Sequence, residues 1–245
     1  MKDWIEQHQI TEVECIVPDL AGAARGKIMP ASKFTDTTTL RMPQSIFMQS
    51  VTGEYPAIWD EINPLDVDMV LQPDPYTIRL LPWAREPSAQ VIHDCFDMKG
   101  NPIAFAPRQV LRRVLDFYRT EGWKPVVAPE LEFYLLQPNL DPKNPLLPPI
   151  GRTGRAERSG QSYNIDSVND FDPMFDDMYD YCEGQGLEID TLIHEEGMGQ
   201  MEINLLHGDP VELADQAFLF KRTVRESALR HDLYATFMAK PMEAQ

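Results

Sequence analysis

Hydrophobic and polar positions follow two different patterns along the chain, and these patterns predict two domains. Up to about residue 100, short runs of alternating residues are separated by turn residues, which is typical of β-strands. The strands predicted in this part span residues 12–17, 27–30, 66–71, 76–81 and 90–96. Longer elements follow, so we predict an N-terminal domain of residues 1–103 and a second domain of residues 104–245.

The second predicted domain mixes amphipathic helices with alternating strands. Pro107 opens its first helix, since proline is tolerated in the first helical turn, and Gly122 ends that helix. Further helices are predicted at residues 172–183 and 209–230, and strands at residues 124–136, 187–193, 200–206 and 233–239. The pattern therefore indicates an α+β fold.

Composition sets limits on partners and location. The 245 residues are 43% hydrophobic and 25% charged, which is ordinary for a globular protein, but the net charge is −17. Nucleic acids and anionic membrane surfaces are disfavoured as partners, because both are bound by clustered lysine and arginine. No run approaches 18 apolar residues, the first residues do not resemble a signal peptide, and the three cysteines are widely separated. We therefore expect a cytoplasmic protein with buried thiols.

The negative charge is concentrated in one stretch. Residues 159–220 contain fifteen aspartates and glutamates and no lysine or arginine. Apolar residues are interleaved with these acids, so the stretch is expected to fold. Its acids either form a solvated face or attract cations from metals, a substrate or basic groups elsewhere in the assembly. Arg152, Arg155 and Arg158 precede the stretch in a run of glycine and proline that predicts a mobile loop.

Four glutamates in the second domain form a candidate site. Glu130 and Glu132 occupy alternate positions of one predicted strand, so both point to the same face. Glu202 lies in a second strand of the same pattern, and Glu195 precedes it in a turn. If the strands share a sheet, the four carboxylates can converge, which is costly unless a cation lies between them. The alternative is that the glutamates face solvent on edge strands.

Carboxylate ligands suit a hard cation such as Mg²⁺ or Mn²⁺, whereas zinc prefers histidine and cysteine. Four carboxylates are more than one ion needs, so two or more ions are expected, as in enzymes that transfer phosphoryl groups. From the residues alone, the prediction is a divalent-metal site.

Several motifs resemble the glutamine synthetase family, and the resemblance runs the length of the chain. It is carried by residues 66–74 (DVDMVLQPD), 129–133 (PELEF), 194–202 (HEEGMGQME) and 237–242 (FMAKPM). It implies an N-terminal β-grasp domain and the first part of a catalytic α/β domain built on an antiparallel sheet. It also implies a ligase in which ATP phosphorylates the γ-carboxylate of glutamate and an amine then displaces the phosphate.

The resemblance also assigns roles to the candidate residues. Glu132, Glu195 and Glu202 would hold the metal that organises glutamate and the γ-glutamyl phosphate. Glu130 would hold the metal on the ATP phosphates, and Asp190 would contact the nucleotide. Family members form double rings in which neighbouring subunits share each active site, so the resemblance implies a homo-oligomer for the full-length protein.

The loop of residues 44–54 indicates which amine is used. Ammonia-using members carry an aspartate here that binds and deprotonates ammonium, and Met48, or Gln49, takes its place. The loop instead resembles the γ-glutamylpolyamine synthetase branch, whose substrates are larger amines such as putrescine. Two alternatives stay open. One is glutamine synthetase proper with a carboxylate supplied from elsewhere, and the other is a non-catalytic protein that assembles or regulates.

Family members are nearly twice as long as these 245 residues. Their second half carries the glutamate-binding glycine loop, a metal-ligand histidine, the arginines that stabilise the transferred phosphate and a further metal-ligand glutamate. We therefore expect the 245 residues alone to be inactive or nearly so.

Overall fold

The computed structural model of the protein describes residues 1–36, 40–58, 61 and 65–242. These residues belong to two units, Met1–Pro125 and Val126–Gln245, each built around its own β-sheet. The domain boundary that the sequence predicts between residues 103 and 104 stays a prediction. No helix in the described part of the chain is both long and apolar enough to cross a membrane.

A mixed sheet forms the centre of the first unit. Within the described residues its strands are β1 (Glu12–Pro18), β2 (Ala24–Pro30), β3 (Leu40–Pro43), β4 (Asp68–Pro73), β5 (Arg79–Leu80) and β6 (Ser88–Phe96). They lie in the order β2-β1-β6-β4-β3, and β5 pairs with β6. Strands β1 and β6 are parallel, whereas the other pairs are antiparallel. The β-grasp assignment of this unit stays a prediction.

Short helical segments accompany this sheet. They include α1 (Lys2–Gln7), α2 (Ala31–Asp36), α3 (Pro107–Thr120) and two 3₁₀ turns at Gln44–Met48 and Pro75–Thr77. The sequence pattern did not predict α1 and α2, because six residues are too few to show a helical period. Of the strand predicted at residues 76–81, only β5 (Arg79–Leu80) is a strand in the structure, because a 3₁₀ turn precedes it. The Asp74 carboxylate accepts a hydrogen bond from the Tyr76 amide at 3.1 Å and so stabilises a turn there.

A largely buried ion cluster ties helix α3 to this sheet. Arg108 donates to Asp94 at 2.6 Å and to Asp74 at 2.8 Å, and its side chain is 7% exposed. Arg112 contacts the same two carboxylates at 3.0 and 3.5 Å. Burial alone would raise the pKa of Asp74, but hydrogen bonds and the charges of the two arginines lower it. The cluster therefore holds the carboxylates of Asp74 and Asp94 against the start of the helix.

An antiparallel sheet forms the centre of the second unit, as the family resemblance implies. Its strands are β7 (Glu130–Leu136), β8 (Ile189–His194), β9 (Gln200–Leu205) and β10 (Tyr234–Thr236), in the order β10-β7-β9-β8. Its helices are α4 (Ile165–Asn169), α5 (Asp172–Gln185) and α6 (Pro210–Arg230). Strand β9 pairs with β7 on one side and with β8 on the other.

Local sequence signals explain where the elements of the second unit begin and end. The Asp209 carboxylate accepts hydrogen bonds from the first amides of α6, at 2.9 and 3.2 Å. Helix α5 ends at Gln185 and is capped by Gly186, whose φ of 66° is left-handed and suits glycine. Strand β7 begins at Glu130 instead of residue 124, because Pro125 and Pro129 have no backbone N–H to donate.

The three cysteines confirm the prediction of buried thiols. Cys15, Cys95 and Cys182 are all free and buried. Burial raises the pKa of each thiol to about 12, so none of them is a reactive thiolate at neutral pH.

Replacing Arg108 by alanine should strongly destabilise the first unit. The change leaves two largely buried carboxylates without their main partner, which typically costs about 3–5 kcal/mol. The pKa of Asp74 is lowered in the fold, so the stabilisation is present above the usual value of 3.8. It is lost as the pH falls through the lowered pKa. Urea unfolding of the wild-type chain and the variant, at pH 7 and at decreasing pH, measures both effects.

Arg119→Ala provides the matched control on the same helix. Arg119 pairs with Asp116 through side chains that are 75% and 59% exposed, and such surface pairs contribute little to stability. If the two substitutions lowered the free energy of unfolding equally, the ion cluster would not have the structural role described above.

Candidate functional site

The glutamates of the two predicted strands lie side by side on one face of the second sheet. Glu132 on β7 is directly opposite Glu202 on β9, and Glu130 is opposite Asn204. Directly opposite residues on one face have Cβ atoms about 4.5–5.5 Å apart. Neither β7 nor β9 is an edge strand of this sheet. Glu130 and Glu132 are nevertheless exposed, and β10 pairs only with the Tyr134–Leu136 part of β7, so the alternative in which the glutamates face solvent stays open.

Glu195 lies on the same face, one residue after the end of β8. Its backbone amide donates to the Gln200 carbonyl at 2.8 Å, which extends the pairing of β8 with β9 into the turn. Ile193 is opposite Glu202, and side chains alternate along a strand, so Glu195 points to the face of Glu202. The structure thus brings all four glutamate positions to one face.

The Gln200 side chain connects the turn to the neighbouring strand. Its Oε1 accepts a hydrogen bond from the Gly197 amide at 2.7 Å, and its Nε2 donates to Glu132 at 2.6 Å. Gln200 therefore orients one of the four carboxylates while it holds the shape of the turn that carries Glu195.

The carboxylates influence one another electrostatically. Burial raises the pKa of Glu202, and the negative charges of the other three glutamates raise it further, against a hydrogen bond from Asn204. Burial and the charges of Glu132 and Glu195 also raise the pKa of Tyr134, the next β7 residue on this face. The face therefore concentrates negative charge to which a cation would be attracted.

The donor set fits a hard divalent cation, although the side chains are not gathered around one point. Among residues 1–36, 40–58, 61 and 65–242, no three acidic, histidine or cysteine side chains are close enough to hold an ion. Like charges repel, so binding would require these side chains to turn inward from their neighbouring backbone positions. The Oδ1 atom of Asn204 is buried and lacks a hydrogen-bond partner in the described part of the chain. This oxygen is a further candidate ligand for a cation on this face.

Glu157 supports the turn and was missed by the sequence reasoning. It accepts hydrogen bonds from His194 Nε2 at 2.8 Å and from the Gly199 amide. Burial alone would lower the pKa of His194, but the hydrogen bond and charge of Glu157 raise it. Glu157 lies in the loop that the sequence predicted only as an arginine-containing segment, and a single loop carboxylate gives no periodic signal.

A cavity of about 360 Å³ opens beside the carboxylate face. Tyr134 and Gln200 form part of its wall, and Arg158 and Lys240 also line it. The second unit therefore places basic side chains next to acidic ones, an arrangement that suits an anion bound close to cations.

The remaining predicted residues belong to other elements of the chain. Asp190 is exposed on β8, where the register shifts between Ile189 and Thr191. Met48 ends a 3₁₀ turn of the first unit. Gln49 follows it and donates to the Tyr55 hydroxyl at 2.8 Å. The roles of Asp190, Met48 and Gln49 stay predictions.

Comparison with known proteins identifies relatives of the whole chain. A family model described as the glutamine synthetase catalytic domain matches residues 104–245. The chain is 35% identical to γ-glutamylputrescine synthetase PuuA of Escherichia coli K12, over 99% of this chain and 52% of PuuA. It is 30% identical to glutamate–isopropylamine ligase of a Pseudomonas species, over 98% of this chain and 53% of that protein. For glutamine synthetase of Halobacterium salinarum the identity is 29%, over 98% of this chain and 50% of that protein.

Solved structures agree with these relatives. GmaS without ligand matches with a TM-score of 0.79 and 25% identity, over 100% of this chain and 53% of that chain. A GmaS complex with ADP matches with a TM-score of 0.73 and 26% identity, over 98% of this chain and 52% of that chain. The chain thus spans about half the length of the relatives that it matches. The family match covers residues 104–245, which carry the carboxylate face, and the chain belongs to the glutamine synthetase family.

Proposed function

We propose that the chain is part of an ATP-dependent ligase that joins the γ-carboxylate of glutamate to an amine. The observation that carries the proposal is the sheet face with its four neighbouring carboxylate positions, Glu130, Glu132, Glu195 and Glu202. Such a face suits two or more Mg²⁺ or Mn²⁺ ions, which neutralise charge on a transferring phosphoryl group. Membership of the glutamine synthetase family supports the same reaction class.

The proposed reaction has two steps. An oxygen of the glutamate γ-carboxylate attacks the γ-phosphorus of ATP, ADP leaves, and γ-glutamyl phosphate forms. The amine nitrogen then attacks the acyl carbon, the C–O bond to phosphate breaks, and the nitrogen loses a proton to give the amide. Both steps need the reactants held in line, so the main task of the protein is positioning and charge stabilisation.

The roles of the glutamates follow from their positions in the family motifs. Glu132, Glu195 and Glu202 would hold the ion that orients glutamate, and Glu130 would hold the ion on the ATP phosphates. Asp190 would contact the nucleotide from the register shift in β8. Paired strands carry Glu130, Glu132, Asp190 and Glu202, and the turn after β8 carries Glu195, so their backbone positions are fixed before substrates bind.

We further propose that the amine is larger than ammonia. Neither Met48 nor Gln49 carries the carboxylate that ammonium binding requires, and the Gln49 amide is engaged with the Tyr55 hydroxyl. Two relatives that match almost the whole of this chain are named for putrescine and isopropylamine. The rival function is glutamine synthetase proper, which a relative of 29% identity supports.

The proposed active enzyme is a homo-oligomer whose catalytic face is completed by the rest of the family's catalytic domain. A non-catalytic role in assembly or regulation is the rival outside the enzyme class. The retained carboxylate face speaks against that rival, because clustered like charges lower stability and serve no structural purpose on their own.

The 245-residue chain should bind Mn²⁺ at the carboxylate face, and Glu202→Gln should weaken that binding at least about 10-fold. Residues that only orient a metal ligand already contribute about 10–100-fold to affinity, so loss of a ligand should have no smaller effect. The raised pKa of Glu202 means that its ionised form destabilises the metal-free fold at neutral pH. The variant should therefore have a higher Tm without metal and a smaller increase in Tm with Mn²⁺. Calorimetric titration and thermal unfolding measure the two effects.

Glu183→Gln is the control for a general loss of negative charge, since Glu183 is exposed on helix α5. It should leave Mn²⁺ affinity unchanged. If Glu202→Gln also left the affinity unchanged, the proposed metal site would be wrong, and the role in assembly or regulation would stand.

A polypeptide of the relatives' full length that begins with these 245 residues should release ADP faster with an alkylamine or polyamine than with ammonium. The test compares ammonium, putrescine, spermidine and isopropylamine in the presence of ATP, Mg²⁺ and glutamate. Met48→Asp, and separately Gln49→Asp, should raise kcat/KM for ammonium relative to the preferred amine, because a new carboxylate can bind the small cation. A wild-type preference for ammonium would instead establish glutamine synthetase proper.

A further inference from the structure

Glu157 holds both ends of the turn that presents Glu195. One of its oxygens accepts a hydrogen bond from His194, the last residue of β8, at 2.8 Å. The other accepts from the backbone amide of Gly199, the residue before β9. The two contacts lie on either side of Glu195, and a single side chain from a distant loop provides both.

His194 connects Glu157 to the backbone of Glu195. The His194 side chain is 0% exposed, and its Nδ1 lies 2.7 Å from the Glu195 carbonyl oxygen. Both ring nitrogens lie within hydrogen-bond distance of oxygen atoms, and these two contacts hold the ring between Glu157 and the backbone of Glu195. A chain of hydrogen bonds therefore runs from Glu157 through His194 to the backbone of Glu195.

The loop and the turn are also packed against each other without spare room. A Cβ added to Gly160 would lie 1.4 Å from the Glu196 carbonyl oxygen. A Cβ added to Gly199, whose φ is 67°, would lie 2.5 Å from the Leu135 carbonyl oxygen. Independently of the hydrogen bonds, the approach at Gly160 packs the loop against the turn, and the approach at Gly199 packs the turn against strand β7.

We propose that Glu157 is a positioning residue of the metal site, which fixes the Glu195 turn through His194 and Gly199 and thereby sets the affinity for the divalent cation. This inference rests on the proposed function, because it assumes that Glu195 is a metal ligand. Partners that orient a ligand typically contribute about 10–100-fold to metal affinity. Glu157 is placed to make such a contribution without touching the ion.

Two substitutions separate the reach of the Glu157 side chain from its charge. Glu157→Asp keeps the charge but is one methylene shorter, so it cannot span from His194 to the Gly199 amide. Glu157→Gln loses the charge but keeps the reach. Its Oε1 can accept from the Gly199 amide, and its Nε2 can donate to a neutral His194 that still donates to the Glu195 carbonyl.

The experiment measures Mn²⁺ affinity of the 245-residue wild-type chain and the variants, well below their melting temperatures. Metal-free hydrogen exchange at the Gly199 and Glu195 amides is measured in parallel. Glu157→Asp should lower Mn²⁺ affinity by about 10-fold or more and accelerate exchange at both amides. Glu157→Gln should remain close to wild type in both measurements. Glu183→Asp, on the exposed face of α5, is the control for the loss of a methylene and should change neither.

Three results would overturn the inference. Unchanged Mn²⁺ affinity in Glu157→Asp would show that Glu157 has no influence on the site, while the effect of Glu202→Gln would keep the proposed function intact. A loss in Glu157→Gln with wild-type affinity in Glu157→Asp would show that the charge acts instead of the positioning. Absence of Mn²⁺ binding by the wild-type chain would remove both the metal site and this inference.

Discussion

The candidate site depends on the register of strand β9 against β7. Met201 and Ile203 of β9 and Phe133 of β7 are fully buried on one face of the sheet, so their burial selects the register. A shift of one residue would bury Glu202 and expose Met201, which is unfavourable in both respects. The hydrophobic core therefore holds Glu132 and Glu202 directly opposite each other, although like charges in that position repel.

This arrangement explains why the surroundings of the carboxylates are polar but carry few direct counter-charges. The Gln200 amide donates a hydrogen bond to Glu132, and a hydrogen bond from Asn204 lowers the pKa of Glu202. These two hydrogen bonds offset only part of the repulsion between the carboxylates. The surrounding stretch of residues 159–220 contains no lysine or arginine. The hydrogen bonds keep the face in shape, but they do not neutralise its negative charge. A divalent cation would therefore be attracted to it.

Periodicity predicted the parts of this site that rest on regular structure. The alternation at Glu130–Leu136 and Gln200–Leu205 gave the strands and the side on which the carboxylates lie, and Asp209 marked the start of α6. Glu157 could not be found in this way, because its bond to His194 joins residues 37 positions apart and depends on how a loop folds back. The short helices α1 and α2 had too few residues for a period. The roles of individual glutamates came from the family resemblance, since strand patterns alone indicate no more than a metal site.

The two proposed tasks of the enzyme fall in different parts of the chain. Phosphoryl transfer to glutamate is the same for every amine, and the residues assigned to it lie in the second unit, on a face fixed by buried strand contacts. The residues assigned to amine choice, Met48 and Gln49, lie in the first unit, where a 3₁₀ turn passes into a loop. A loop tolerates substitution far better than a packed strand, because fewer buried contacts depend on it. A change of amine can therefore arise without disturbing the carboxylate register. The names of the relatives themselves differ in this way, since proteins named for putrescine, isopropylamine and glutamine are 35%, 30% and 29% identical to the chain.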